Sequence, residues 1–349
     1  MKFKLVFVSL LLSLSLVGCG IESTNNNEAS KDSNTVDSDS KETTKPVSIT
    51  LSIAGDVTLG NYHGASYYAT FDHEVEMQNN YDFVFENVND VFSKDDLTIV
   101  NLEGPLTTAS QNADKTFAFR GDPSYVNFLK SGSIEAVSLA NNHSLDYFEQ
   151  GFNDTKKILS DNDINYFGLD SGTIVEVDGI NVGLLGYKGW GEYYTDDNLE
   201  IMKKDIDYMN ENADMTLVYF HWGIEGQYYP EQYQKDFAHF CIDNGVDAVI
   251  GAHPHVVQGI EKYNDKYIAY SMGNFAFGGN KNPSDKDSFI YQQTFTFEDS
   301  KLSKVSTPNV IPCSISSTSS RNDYKPTVLS DDNKDRVLNK INEISIPLN

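Results

Sequence analysis

The stretch Gly251-Ala252-His253-Pro254-His255 decides how this chain is read. It follows Val246-Asp247-Ala248-Val249-Ile250, a short and largely apolar run with the character of a buried strand. Two imidazoles one residue apart therefore leave a strand end and enter a loop. Pro254 fixes its own φ and biases His253 toward extended geometry, which stiffens the segment. Four other apolar runs end in a similar way. Met215 to Phe220 runs into His221-Trp222-Gly223, and Glu135 to Leu139 into Ala140-Asn141-Asn142-His143. Ile49 to Ala54 leads to Gly55-Asp56, and Leu97 to Val100 to Asn101-Leu102-Glu103. In an open α/β sheet, ligands bind beyond the carboxyl ends of the strands. Asp, Asn, Glu and His side chains from five strands are thus expected along one edge.

That mixture of donors points to a centre of the two-metal hydrolase kind. Such a centre gathers carboxylate, amide and imidazole groups around two cations about 3.5–4 Å apart, which polarise the scissile group and acidify a water. A nearby imidazole can then protonate the leaving group. Asp56, Glu103, Asn142, His221, His253 and His255 are the candidate metal ligands. His143 adjoins one of them, Asp146 is placed to orient its ring, and Glu225 to support the imidazoles. Mixed nitrogen and oxygen donors suit Mn²⁺, Fe or Zn²⁺. Each residue also has an ordinary explanation. An Asp after a strand is commonly a turn or cap residue, and Asn141-Asn142 is turn chemistry as well. A His beside a Trp is often a half-buried packing residue. Convergence of five strand ends on one donor chemistry favours the metal. His63, His73 and His239 fall outside the pattern and read as surface or packing residues, with His63 nearest to the site.

Lys2 and Lys4 precede an apolar run from Leu5 to Val17, too short for a comfortable membrane span and shaped like a secretory signal over residues 1–18. Gly18-Cys19 at the cleavage point resembles a bacterial lipobox, which would make Cys19 the lipidated mature N-terminus. A lipid anchor places the protein on the extracellular face of the cell membrane. Residues 19–46 are almost wholly polar and read as a disordered tether. Of the other cysteines, Cys241 reads as a buried helical thiol, although a disulfide with Cys313 is open in an oxidising compartment. Acids outnumber bases 51 to 26, for a net charge of −25. So acidic a chain repels nucleic acid and anionic headgroups. A polyanionic polymer would approach only where bound cations reverse the local sign.

After Pro46, strands alternate with helical patterns, which predicts an α/β fold. Helices are expected over Phe83 to Phe92, from Asp122-Pro123 to Lys130, and over Tyr147 to Ser160, Asp197 to Asn210 and Pro230 to Asp243. Asp178-Gly179 and Tyr263-Asn264-Asp265-Lys266 signal hairpins. Residues 47–312 are expected to form the folded domain. Residues 313–349 read as a tail, with a helix over Asp332 to Ile344.

Taken together, Gly55-Asp56, Asn101-Leu102-Glu103-Gly104-Pro105, Ala140-Asn141-Asn142-His143-Ser144-Leu145-Asp146, His221-Trp222-Gly223-Ile224-Glu225, Gly251-Ala252-His253-Pro254-His255 and Ser271-Met272-Gly273-Asn274-Phe275 resemble the CapA family of poly-γ-glutamate capsule biosynthesis proteins. Members are similar in fold to the calcineurin-like metallophosphoesterases. The resemblance runs from Ile49 to Phe277. It implies a layered β-sandwich flanked by helices, two divalent metal ions, and a role in making, exporting or anchoring poly-γ-glutamate, with membrane polymer-synthase subunits as candidate partners. By the metallophosphoesterase pattern, Asp56 and His255 would hold one metal and Asn142, His221 and His253 the other, with His143 as proton donor. Two positions depart from that pattern: Thr58 stands where a His is expected, and Asn101 and Glu103 are the nearest substitutes for a bridging Asp. A metal-dependent hydrolase-like lipoprotein is the leading expectation. Its rivals are a non-enzymatic polymer-assembly or binding factor and a wall or nucleotide phosphoesterase.

Overall fold

The computed structural model describes residues 45–348 apart from Asp170. The signal segment, Cys19 and the tether as far as residue 44 lie outside the described residues.

The strand Val47–Thr58 lies at the centre of a mixed nine-stranded sheet. On one side it pairs in parallel with Leu97–Leu102, followed by Ala136–Ser138 and Asn165–Phe167. On the other it pairs antiparallel with Asp287–Glu298, and beyond that lie Asn309–Ser314 and Thr327–Val328. Lys301–Val305 also pairs with Asp287–Glu298, and the short strand Asn274–Phe277 runs parallel to the end of Val47–Thr58. A second sheet of six strands has Ala248–Ala252, Met215–Trp222 and Ile180–Gly189 as its parallel middle.

Period-two alternation explains how the sheets stack. Ile49, Leu51 and Ile53 of the first sheet share one core with Met215, Leu217, Tyr219, Ala248 and Ile250 of the second. The opposite face of the first sheet buries Val100, Leu102 and Val137 against the helices Val126–Ser131 and Phe148–Asp161. The outer face of the second buries Val218, Phe220 and Val249 under Asp196–Asn212 and Gln232–Asp243. The result is the α/β sandwich flanked by helices that the sequence predicts.

Both hairpin signals form: Asp178 and Gly179 have φ of 49° and 79°, Asn264 and Asp265 of 47° and 62°, as a two-residue turn that follows strand twist requires. Asp122 caps its helix, its carboxylate accepting the Ser124 N–H at 2.8 Å. The stretch from Phe83 differs from expectation. Only Asn89–Phe92 is helical, because Phe83, Val84 and Phe85 are all fully buried and consecutive apolar residues do not fit the single buried face of a surface helix. Cys241 and Cys313 are free thiols buried in opposite outer layers, and burial raises both pKa values. Among the described residues, no helix is long and apolar enough to cross a membrane.

The C-terminal residues are part of the fold. The strand Asn309–Ser314 crosses the expected boundary at 312, and Tyr324 is fully buried. The helix Asp331–Ser345 inserts Val337, Ile341 and Ile344 into the inter-sheet core. It is clamped by Asp287, which accepts hydrogen bonds from Arg336 at 2.6 and 2.8 Å and from Lys340 at 2.9 Å. Burial alone would raise the Asp287 pKa, but these donors hold it below the usual carboxylate range.

Two outcomes follow. Ile341→Ala should cost about 2–5 kcal/mol in denaturant unfolding, since it opens a cavity between the sheets, whereas a loosely attached tail would show almost no change. The clamp, a depressed carboxylate, contributes stability above its unfolded pKa of about 3.9 that is lost as pH falls through the folded value. The Tm gap between wild type and Arg336→Gln should therefore be widest above about pH 5 and close in stronger acid.

Candidate metal centre

The site begins with an irregularity in the first strand. Against Leu97–Leu102, the register pairs Ile53 with Ile99 and then Asp56 with Asn101, three steps against two. That is a β-bulge, and the extra residue reverses the alternation. Asp56 thereby returns to the inner face, where Asn101 meets it with an Nδ2 hydrogen bond of 2.8 Å. Gly55 makes the bulge possible: a Cβ there would lie 1.9 Å from the Gly273 carbonyl oxygen.

At this edge the donors form two neighbouring groups. Ligand atoms of Asp56, Glu103 and His255 lie within 4.8 Å of one another, with Asp56 Oδ2 3.4 Å from His255 Nδ1. Beside them, His221 Nε2 is 2.7 Å from Asn142 Oδ1 and 3.0 Å from His253 Nδ1. His221 joins the groups, its Nε2 3.6 Å from Glu103 Oε1 and its Nδ1 3.7 Å from Asp56 Oδ1. Glu225, exposed at the rim, has a carboxylate oxygen within 4.8 Å of His253 and His255.

Two features fit divalent cations. Glu103 Oε1 is buried with no hydrogen-bond partner, a state that normally costs stability unless an ion or water satisfies it. At His221 Nε2, one proton at most must serve both an amide oxygen and a second imidazole nitrogen, so lone pairs face one another. Asp56, Glu103 and His255, with Asn142, His221 and His253 beside them, are a donor set that suits divalent metal.

The local electrostatics follow from burial and charge. Burial and neighbouring imidazoles push His221 well below the ordinary His value, and burial with His255 beside it lowers His253 to about 4. Both rings are therefore neutral and able to donate lone pairs. Burial would also lower His255, but its hydrogen bond to Asp56 and the charges of Glu103 and Asp56 win and raise it to about 9. Burial, then the Asp56 charge, raise Glu103 to about 7.

Surrounding polar groups hold the donors in place. Asn141 Nδ2 donates to Asn101 Oδ1 at 3.1 Å, and its own Oδ1 accepts the His143 N–H at 3.0 Å. Thr58 donates to Glu103 Oε2 at 3.2 Å, so the residue standing in for the expected His supports a carboxylate. His143 Nδ1 is 2.7 Å from Asp146 Oδ2, and its Nε2 is 3.9 Å from Glu103 Oε1. His253 is not extended. Its φ is 99° and that of His255 is 57°, strained values for non-glycine residues. The bias imposed by Pro254 yields to two polar interactions: the His253 N–H reaches Asp56 Oδ2 at 3.2 Å, and its ring reaches His221.

The structure thus brings together all nine candidate site residues of the described chain. His63 instead lines a separate cleft with Tyr62 and Arg120, His73 packs against Tyr67 and Tyr68, and His239 pairs with Glu261 at 2.9 Å. Sequence reasoning missed two participants. Lys115, in a stretch with no pattern, donates to Asp146 Oδ1 at 2.7 Å and to the Asn142 carbonyl at 3.0 Å. Asn274 Oδ1 lies 2.8 Å from His255 Nδ1; its place in Ser271-Met272-Gly273-Asn274-Phe275, after another strand, was the available signal. A cleft of about 490 Å³ opens over His143, His255 and Asn274 between Phe117, Glu225 and Asp285.

Two facing sheets under helices, with donor groups gathered at the strand ends, define a layered α/β sandwich with a candidate metal centre at one edge. The sequence profile of the bacterial capsule synthesis protein PGA_cap matches residues 50–279, and the chain belongs to that family. It is 30% identical over 256 residues to the capsule biosynthesis protein CapA of Bacillus anthracis, covering 66% of this chain and 60% of that protein. It is 28% identical over 249 residues to the PGA biosynthesis protein CapA of Bacillus subtilis, covering 66% and 63%. The chain therefore spans somewhat under two thirds of the length of either relative. Among solved structures, a hypothetical protein from Thermus thermophilus aligns with TM-score 0.47 at 17% identity, over 76% of this chain and 99% of that one. The NAD nucleotidase of Haemophilus influenzae aligns with TM-score 0.42 at 10% identity, over 86% and 56%.

Added Mn²⁺ or Zn²⁺ should raise the Tm, because a ligand of the native state at a hundred times its Kd stabilises by about 2.7 kcal/mol. Asp56→Ala and His221→Ala should each lose most of that rise in a thermal melt. An undiminished rise in both variants would place the metal elsewhere.

Proposed function

We propose that this protein is an extracytoplasmic lipoprotein serving the synthesis, export or anchoring of poly-γ-glutamate, through a metal-dependent hydrolase-like site. The observation that carries the proposal is the convergence of two donor groups beside an open cleft that His143, Glu225 and His255 line, in a chain of the capsule synthesis family. Lys2, Lys4, the apolar run to Val17 and Cys19 support the lipid anchor.

Divalent cations held by these donors would polarise a scissile amide or phosphoester and acidify a water. The chain supplies the proton chemistry. Asp146 accepts from His143 Nδ1–H and so supports the doubly protonated ring, whose Nε2–H, on the Glu103 side, would pass its proton to a leaving group. Phe119 packs on the ring of His143 with centroids 4.4 Å apart and donates its N–H to Asp146, so ring and carboxylate are fixed together. Glu225 lies at the rim beside His253 and His255, where its charge supports both imidazoles.

One observation favours the non-enzymatic assembly factor. Asn101, at the bridging position, uses its amide on Asp56 and Asn141 and offers no carboxylate to share between two cations.

With metal supplied, the protein should cleave poly-γ-glutamate fragments or members of a phosphoester panel. His143→Ala should lower kcat by about 10²–10⁴ with metal content unchanged. Tight metal binding without turnover of either class would establish the assembly factor instead. For the cellular role, Cys19→Ala should move the protein out of the membrane fraction and a deletion strain should lose surface polymer. Unchanged polymer would leave a wall or nucleotide phosphoesterase.

A further inference from the structure

The strand Ile180–Gly189 carries, one residue before its end, a lysine that neither donor group uses. Ile180, Val182 and Leu184 belong to the core between the sheets, so alternation puts Gly186 and Lys188 on that same inner face. A Cβ on Gly186 would meet Gly168 and Ser138 across the gap, as this orientation requires. In the parallel ladder Lys188 lies opposite His221, which faces inward with Met215, Leu217 and Tyr219. Lys188 therefore stands on the inner face next to His221, and it lines a cleft with Gly172, Tyr187 and Asp205.

Lys188 is half-buried and has no carboxylate partner among the described residues. Scarcity of acids is not the reason, because Asp and Glu outnumber Lys and Arg 51 to 26. Lys115, whose charge reaches Lys188, is itself paired with Asp146. Lys115 and Lys188 repel one another, and the charge of Lys188 is also felt at His221. Two ammonium groups thus flank the His221 side of the site, one paired and one not. A half-buried charge without a counter-ion is costly, and an anion from outside would relieve it.

We propose that Lys188 is the anion-binding residue of this site, holding a carboxylate or phosphate of the substrate beside Asn142, His221 and His253. This rests on the proposed metal-dependent site and deepens it: the substrate is anionic next to the bond that reacts. A γ-linked glutamate chain carries a free carboxylate on every residue, and a phosphoester offers the same charge. In a protein of net charge −25, an unpaired cation at this edge gives such a group its place.

The test uses the full, metal-loaded protein and three probes: a γ-glutamyl oligomer, the same oligomer amidated at its free carboxyls, and inorganic phosphate. Lys188→Met should weaken oligomer binding about ten- to hundredfold, as expected for loss of one charge-assisted hydrogen bond. Lys188→Arg should stay within a few-fold of wild type, the amidated oligomer should bind weakly to every form, and metal content should not change. Equal anion affinities in wild type and Lys188→Met would overturn the proposal, and so would loss of metal in that variant. If phosphate binding depends on Lys188 while wild type ignores the oligomer, the anion site stands and the polymer assignment falls.

Discussion

The site depends on one extra residue in the first strand. Ala54 and Val57, on either side of the bulge, both pack into the outer core, while Asp56 between them turns inward. Without the bulge, Asp56 would follow Ala54 beneath the helices and the edge would lose its central carboxylate. Once inward, Asp56 joins the sheets: Oδ1 accepts from Asn101 of the first, and Oδ2 accepts the His253 N–H beyond the end of a strand of the second. Tyr219 adds a second tie, its hydroxyl donating to the Ala54 carbonyl at 2.9 Å. The sandwich and the pocket at its mouth therefore share the same connections.

Such a pocket works against stability. Asp56, Glu103 and His221 are almost wholly buried, and polar groups removed from water cost free energy unless they are paired. The chain limits that cost by keeping His221 and His253 neutral and by arranging amides around the acids. It does not remove it, as the orphaned Glu103 oxygen and the positive φ values of His253 and His255 record. Three apolar cores, one between the sheets and one under each helical layer, hold this strained edge in place.

Much of the arrangement was legible in the sequence, because apolar runs ending in metal-type donors report both a strand and its polarity. His221 is an example: Met215, Leu217 and Tyr219 fix its face by alternation alone. The same rule misleads at Asp56, where a bulge shifts the count and the only cue is a glycine. Lys115 was hidden for a different reason, since it reaches Asp146 from an irregular segment whose path no periodicity describes. Residues 314–330 read as a tail because polar contacts do much of their anchoring, beside the buried Ile315 and Tyr324. Asn322 donates to the carbonyls of Phe277 and Asn280, and Asp323 accepts from Ser316, contacts that hydropathy does not register.

The pairing of Val47–Thr58 with Asp287–Glu298 has a consequence for how the molecule is made. The hydroxyls of Ser48 and Thr296 meet at 2.9 Å although 248 positions separate them in the chain. Nearby Leu97–Leu102 is available early, but the other flank of the central strand waits for residues produced much later. Long-range pairing of this kind slows folding, and until it occurs an apolar ribbon with open backbone groups is offered to any neighbouring chain. The growing polypeptide must be shielded or kept extended through that interval, so crowding during synthesis is where this architecture is most exposed to aggregation.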